Sequence, residues 1–202
     1  MHISEGVVSA PVLGAGAALT AVGVAVGLKK IDYQRLPVVA ILSAVFFVAS
    51  LIHIPLGPAS VHLLMIGLVG LILGWGAFPA IFMGLALQAL LFQFGGLLVL
   101  GVNTFNMAFP ALLAYLFFIP LVRKEKRSLV LVGGFLAGSL SVLLSSLLTA
   151  LSLYLSGEAF RQAAQALVLA HVPVMAIEGV VTALAAAFLK QVRPAMLAAD
   201  PS

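Results

Sequence analysis

The chain has 202 residues, of which 63% are hydrophobic and only 8% are charged. A soluble domain carries about 25% charged residues, because its surface faces water, so this composition excludes a soluble globule and indicates an integral membrane protein. The chain has no cysteine, which excludes disulfides and thiolate metal sites and leaves nitrogen and oxygen as donors for any metal. The net charge is +4, but no basic patch alternates with aromatic residues, so we expect no nucleic-acid binding.

The amino terminus lacks the basic segment that opens a secretory signal peptide, since the first Lys or Arg is Lys29. We therefore expect the start of the chain to be retained, and Met1 to keep its free amine because the bulky His2 follows it. The uncharged segment 7–28 is long enough, at roughly 1.5 Å per residue, to cross about 30 Å of hydrocarbon. This segment predicts the first transmembrane helix.

The basic residues form three clusters, within 29–35, 123–127 and 190–193, and only Arg161 lies outside them. The positive-inside effect places such clusters in the cytoplasm, which requires an even number of membrane crossings between consecutive clusters. The segment 36–122 contains no Asp, Glu, Lys or Arg and is long enough for four crossings. The segment 128–189, between the second and third clusters, then holds two crossings.

The predicted fold is an all-α polytopic membrane protein in a single domain over residues 1–202, with the N-terminus outside and the C-terminus in the cytoplasm. Seven transmembrane helices are expected, at about 7–28, 37–54, 61–75, 77–94, 105–122, 129–155 and 162–189. The outer loops then include 53–62, and an inner turn lies at 75–79. Glycines in the third span predict close helix packing, at Gly67, Gly70 and Gly74.

The first two residues offer a compact set of nitrogen donors. The amine of Met1, the backbone nitrogen of His2 and the imidazole of His2 can converge on one metal ion at little folding cost. Such a set suits the planar nitrogen field that Ni(II) and Cu(II) favour, which a fourth nitrogen would complete. The short tether before the first span keeps this unit near the outer ends of the other helices, although a solvated histidine is the common alternative near a chain terminus.

Two further histidines, His53 and His62, are predicted on the same outer face. We take His62 as the fourth ligand, because it opens the third predicted span just after Ser60, a residue type that caps helices. His53 ends the second predicted span, where an imidazole more often bonds a backbone carbonyl. We therefore expect His53 to support the ligands rather than to bind the metal.

Other polar residues lie in or near the predicted spans. Asn103 and Asn106 could orient the histidines or cap the fifth helix, and Gln88 could support the site or bond between helices. His171 and Glu178 stand seven residues apart and thus on one helical face, where ionisable groups are costly and often functional. We expect a buried hydrogen-bonded pair, or a role for Glu178 in moving the subunit against a partner.

The sequence offers no motif for catalysis. It has no G-x-x-x-x-G-K-[ST] phosphate loop, so ATP hydrolysis would need another polypeptide, and Val172 rather than Glu follows His171, which excludes a zinc-protease H-E-x-x-H motif. An ion channel needs a polar path, whereas only His171 and Glu178 are deep and ionisable. We therefore expect a binding module rather than an enzyme or a channel.

The sequence resembles the CbiM/NikM family, the substrate-binding subunits of energy-coupling-factor transporters for cobalt and nickel. The resemblance covers most of the chain and is carried by Met1-His2-Ile3 with Glu5-Gly6, and by the stretches 53–63, 73–79, 88–92, 100–107, 170–173 and 177–179. Ser4 stands where relatives commonly have proline, which removes no ligand.

The resemblance implies a six-helix core with an extra first helix, and a Co(II) or Ni(II) ion held as transported substrate by Met1, His2 and His62, without an organic cofactor. It implies a prokaryotic inner-membrane location and, as partners, a transmembrane coupling subunit, two cytoplasmic ATPase subunits and often a small accessory membrane subunit. The stretches 53–58 and 100–103 favour the cobalt members that supply cobalamin biosynthesis. Nickel uptake for nickel enzymes is the alternative, and a metal channel is a further one.

Overall fold

The computed structural model describes residues 2–51, 53–56 and 59–198, and the side chains of 53–56, 59–61 and 198 lie outside that description. Two residues of the expected site are affected, namely Met1 and the side chain of His53. The helices are α1 Ala10–Lys30, α2 Leu36–Ala49, α3 Ile66–Leu73, α4 Ala77–Phe92, α5 Leu100–Val122, α6 Arg127–Tyr154, α7 Arg161–Ala170, α8 Val172–Val192 and α9 Ala195–Ala198. One antiparallel hairpin joins β1 His53–Leu56 to β2 Ala59–His62.

Five segments of the described chain are long and apolar enough to cross a membrane: Ala10–Lys30, Ile66–Phe92, Leu100–Val122, Arg127–Tyr154 and Glu158–Val192. A shorter apolar segment covers Tyr33–Ala49. The prediction of an all-α, multi-pass membrane protein is confirmed. With α7 and α8 counted as one interrupted segment, each of the seven predicted helices has a counterpart.

The third predicted span, 61–75, differs most from the structure. It begins in β2, where His62 pairs with His53, and only its part within Ile66–Leu73 is helical. Met65 and Gly74, which flank α3, both have φ of 52° and so interrupt the helical backbone on either side. Nearly all residues of 61–75 are apolar, so hydropathy does not indicate this change from strand to helix. All eight residues of α3 are buried, so this short helix lies inside the bundle.

The last predicted span, 162–189, is also divided in the structure. Helix α7 ends at Ala170, and α8 begins at Val172 with a proline in its first turn. Proline lacks the N–H that a continuous helix would need at this position, and it is favoured where a new helix starts. His171 therefore lies at a junction between two helices rather than on one face of a single helix.

Close backbone approaches show how α1 lies in the bundle. A Cβ added to Gly16 would lie 2.8 Å from the Cα of Val102, near the start of α5, and one added to Gly27 would lie 2.6 Å from the carbonyl oxygen of Trp75. Helix α1 therefore runs along the bundle from the end where α5 begins to the end where α4 begins. We call the end that carries His2 the amino-terminal end.

The opposite end, which we call the basic end, gathers the basic clusters. Lys190 donates to the carbonyl oxygen of Arg123 at 2.7 Å and lies 3.7 Å from the Glu125 carboxylate. Arg123 in turn donates to the carbonyl oxygen of Leu197 in α9, which packs against α3. The clusters at 123–127 and 190–193 thus meet in space, as the charge pattern predicted, while the orientation of this end in the membrane stays a prediction.

Candidate metal centre

Two histidines meet at the amino-terminal end of the bundle. The rings of His2 and His62 are stacked, with centroids 4.5 Å apart and planes inclined by 25°. Both residues are almost fully buried, with 4% and 3% of their surface exposed. His62 reaches this place because β2 ends there, before the chain turns inward toward α3. The structure therefore brings together the two imidazoles that the sequence analysis selected as ligands.

The chain next to His2 is fixed by an asparagine. The Ile3 N–H donates to Oδ1 of Asn103 at 2.9 Å, and Nδ2 of Asn103 donates to the Ile3 carbonyl oxygen at 3.1 Å. This reciprocal pair resembles one rung of a β-sheet, and both Ile3 and Asn103 are buried. Asn103 thus positions the backbone beside His2, whereas the roles considered for it from the sequence were to orient the histidines or to cap the fifth helix.

Glu5 forms a second attachment of the amino terminus. Its N–H donates to the Gly95 carbonyl oxygen at 3.0 Å, and its Oε1 accepts from the Leu98 N–H at 2.8 Å. A Cβ on Gly96 would collide with the Glu5 side chain, and Gly96 also has a φ of 117°, so this loop position needs glycine. Glu5 is the only carboxylate before the first predicted helix, but its sequence context does not indicate this role.

His62 is held in the tautomer that a metal ligand requires. Its Nδ1 lies 2.8 Å from the Leu63 carbonyl oxygen and must donate to it, which leaves a lone pair on Nε2. This Nε2 is buried and has no hydrogen-bond partner among the described residues. The pKa of His62 is lowered from 6.5 to about 4, because burial and, to a smaller extent, nearby His171 lower it by more than the bond to Leu63 raises it. The imidazole is therefore neutral at neutral pH, as metal binding requires.

His171 lies close to this site but is held separately. It is fully buried, and its Nδ1 lies 2.7 Å from the Leu167 carbonyl oxygen in α7. Within the described part of the chain, no three His, Asp or Glu side chains are grouped to hold a metal ion.

Glu178 does not bond His171 in the way the sequence analysis expected. Its carboxylate accepts from the backbone N–H groups of Leu64 and Met65, and Nδ1 of His171 is engaged within α7. The described contacts contain no hydrogen bond between the two side chains. His171 instead bonds the backbone of α7, and Glu178, in α8, bonds the backbone that leads into α3.

The remaining expected residues link other parts of the bundle. Gln88 in α4 donates to the Ser50 hydroxyl at the end of α2, and Asn106 in α5 donates to the Ser152 hydroxyl of α6 at 3.2 Å. The bond of Gln88 is the helix-to-helix role considered for it from the sequence. His53 pairs with His62 across the hairpin, and the side chain of His53 lies outside the described residues.

Comparison with known proteins agrees with this arrangement. The family described as "Cobalt uptake substrate-specific transmembrane region" matches residues 2–196. A Haemophilus influenzae protein named for metal transport is 41% identical over 187 residues, which are 90% of this chain and 89% of that protein. The cobalt transport protein CbiM of Sorangium cellulosum is 32% identical over 213 residues, covering 98% of this chain and 94% of its own.

A solved structure described as a transition metal transporter has the same fold. It superposes with a TM-score of 0.83 at 28% identity and covers 95% of this chain and 93% of its own length. The family match over residues 2–196, together with the similarity to the Sorangium cellulosum protein, shows that the chain belongs to the cobalt uptake substrate-specific transmembrane family.

Proposed function

We propose that this member of the cobalt uptake family is the metal-capturing subunit of a cobalt or nickel uptake transporter. The observation that carries the proposal is the buried contact between His2 and His62, beside an amino terminus that Asn103 ties down. The family is one of metal transport rather than of catalysis, which agrees with the lack of enzyme motifs in the sequence.

The donor set would consist of four nitrogens: the amine of Met1, the backbone nitrogen and imidazole of His2, and Nε2 of His62. The hydrogen bonds of the structure support this choice. The Ile3 N–H donates to Oδ1 of Asn103, which fixes the backbone directly after His2. Four nitrogens in a plane suit Ni(II) and are compatible with Co(II), and binding would release protons from the amine and the amide.

Capture would occur on the outer face, and ATP hydrolysis by partner subunits would drive delivery inward. The chain has no phosphate loop, so we assign this work to two cytoplasmic ATPase subunits, joined through a transmembrane coupling subunit and with a small accessory membrane subunit as a further partner. The basic end, where residues 124–127 are exposed, would then face the cytoplasm and these partners.

Cobalt is the metal we propose first, for use in cobalamin biosynthesis. The family description and the name of the Sorangium cellulosum relative both refer to cobalt. The donor set itself does not favour cobalt, since nitrogen sites bind Ni(II) and Cu(II) more tightly by the usual affinity order. Metal supply and the partner subunits would therefore select the cargo, and a nickel-specific subunit is the alternative.

Accumulation of radioactive cobalt in cells tests this function. The chain would be expressed with the coupling subunit and ATPases of its transporter in a host that lacks its own cobalt uptake. The native complex should accumulate cobalt, whereas omission of the ATPases or the change His62→Ala should abolish uptake. Gln165→Ala, at an exposed amide on α7, is the matched control and should leave uptake unchanged. Uptake by the chain without the ATPases would contradict the proposal and support a channel.

A further inference from the structure

We propose that Glu178 is a positioning residue for the metal ligand His62, acting through the start of α3. This inference rests on the proposed function, because it concerns the same site. It assigns a task to a buried carboxylate that lies outside the donor set and does not bond His171.

The contacts of Glu178 are directed at the segment that follows His62. Its Oε1 accepts from the Leu64 N–H at 2.5 Å and from the Met65 N–H at 2.8 Å, and its Oε2 lies 3.0 Å from the same Met65 nitrogen. Glu178 is fully buried. Backbone N–H groups at a helix start have no partner within the helix, so the carboxylate supplies the acceptors that this end of α3 would otherwise lack.

The other end of α3 is held by a side chain of opposite charge. Nη2 of Arg35 donates to the Ile72 carbonyl oxygen, in the last turn of α3, at 2.9 Å. A carboxylate at the start and a guanidinium at the end of a helix both match the direction of its dipole. Since all eight residues of α3 are buried, these two side chains fix the helix along its axis from both ends.

The path from this helix to the metal ligand is short and rigid. Only Leu63, Leu64 and Met65 separate His62 from α3. Leu64 is fully buried, and the carbonyl oxygen of Leu63 accepts from the His62 ring. Met65 has a left-handed backbone, which a residue other than glycine keeps only when its surroundings enforce it. Loss of the carboxylate would leave the buried N–H of Leu64 and the half-buried N–H of Met65 without this acceptor, and would let this segment, with His62, move.

The test is a titration with Ni(II) of the full-length protein in detergent, followed by visible absorption, because that spectrum reports how many nitrogens bind the metal. Glu178→Gln keeps the size of the side chain but replaces one acceptor oxygen with a donor that opposes the N–H groups. We expect it to weaken Ni(II) binding by about 10- to 100-fold and to give a spectrum like that of His62→Ala. Glu178→Asp, which retains the charge, should recover part of the affinity.

Thr182→Val is the matched control, since Thr182 is buried on α8 one turn beyond Glu178, and it should keep the native affinity and spectrum. A merely structural role of Glu178 would lower the yield of folded protein but leave the spectrum of the folded fraction native. A native spectrum and affinity in Glu178→Gln would therefore overturn the inference. If the Gln variant did not fold, Glu178→Asp would be the test, since we expect it to recover only part of the affinity. A native spectrum and affinity in that variant would then overturn the inference. If the spectrum of the native protein did not depend on His62, the proposed function itself would be overturned.

Discussion

The imidazole of His2 lies on the imidazole of His62, with 4.5 Å between ring centroids. One ring belongs to the extreme amino terminus and the other to the end of a hairpin, so the fold of the whole bundle is needed to bring them together. In the proposed capture step the metal would replace this contact between the two rings with bonds to ring nitrogens. The packing of the bundle therefore holds both rings at the proposed site.

Asn103→Ala should weaken Co(II) or Ni(II) binding by about 10- to 100-fold, which is usual for residues that orient metal ligands. The change removes both hydrogen bonds to Ile3 and releases the backbone next to His2. Isothermal calorimetry would measure the affinity. Asn106→Ala is the control, because it removes an equally buried amide one turn along α5 that bonds Ser152 instead. Equal losses in both variants would contradict the role given to Asn103.

Gly16→Ala should destabilise the protein by about 1–3 kcal/mol, as overpacking of a tight contact usually does. The added Cβ would lie 2.5 Å from Cγ2 of Val102 and would push α1 away from α5. Gly14→Ala, in the same helix, would meet no atom within 4 Å and should be neutral or stabilising by up to about 1 kcal/mol. Thermal unfolding in detergent measures both changes, and equal midpoints would show that the α1–α5 contact is not close-packed.

Acidification from about pH 6.5 to about pH 4 should destabilise the metal-free protein partly through His62. Its pKa falls from 6.5 in the unfolded chain to about 4 in the fold, so in this range the unfolded state binds more protons and stability rises with pH. Well below the folded-state pKa, this shift lowers the free energy of unfolding by about 3 kcal/mol relative to its value above pH 6.5. Between pH 7 and pH 4.5 the unfolding midpoint of the native protein should therefore fall further than that of His62→Gln. Parallel pH profiles of the two proteins would contradict this assignment.

Much of the helical architecture could be predicted from charge and apolar length alone. Helices α5 and α6 follow from apolar segments between basic clusters, because a lipid-facing helix has to exclude charge over its whole length. The short α3 and the hairpin before it could not be predicted in this way. Helix α3 is apolar and lies inside the protein, where the backbone before it finds a partner in Glu178 that hydropathy does not reveal.

The site was partly predictable for a related reason. His2 stood out because its imidazole and backbone nitrogen adjoin the amine of Met1, and His62 stood out because the expected topology places it on the same outer face. The partners of Asn103 and Glu178 are backbone groups at Ile3 and Leu64, far away in sequence. Every residue has such groups, so no residue type in the sequence marks which of them a buried amide or carboxylate will bind.

The most direct test of the proposed metal site is calorimetric titration with Co(II) and Ni(II) of the native protein and of a variant with one alanine added before Met1. The added residue displaces the amine but leaves His2, His62 and the fold in place, and the same alanine added after Ser202 serves as the control. The proposed site predicts one tightly bound metal in the native and control proteins and loss of most of the affinity in the amino-terminal variant. Equal binding by all three proteins would contradict it and would show that the amine of Met1 is not a ligand.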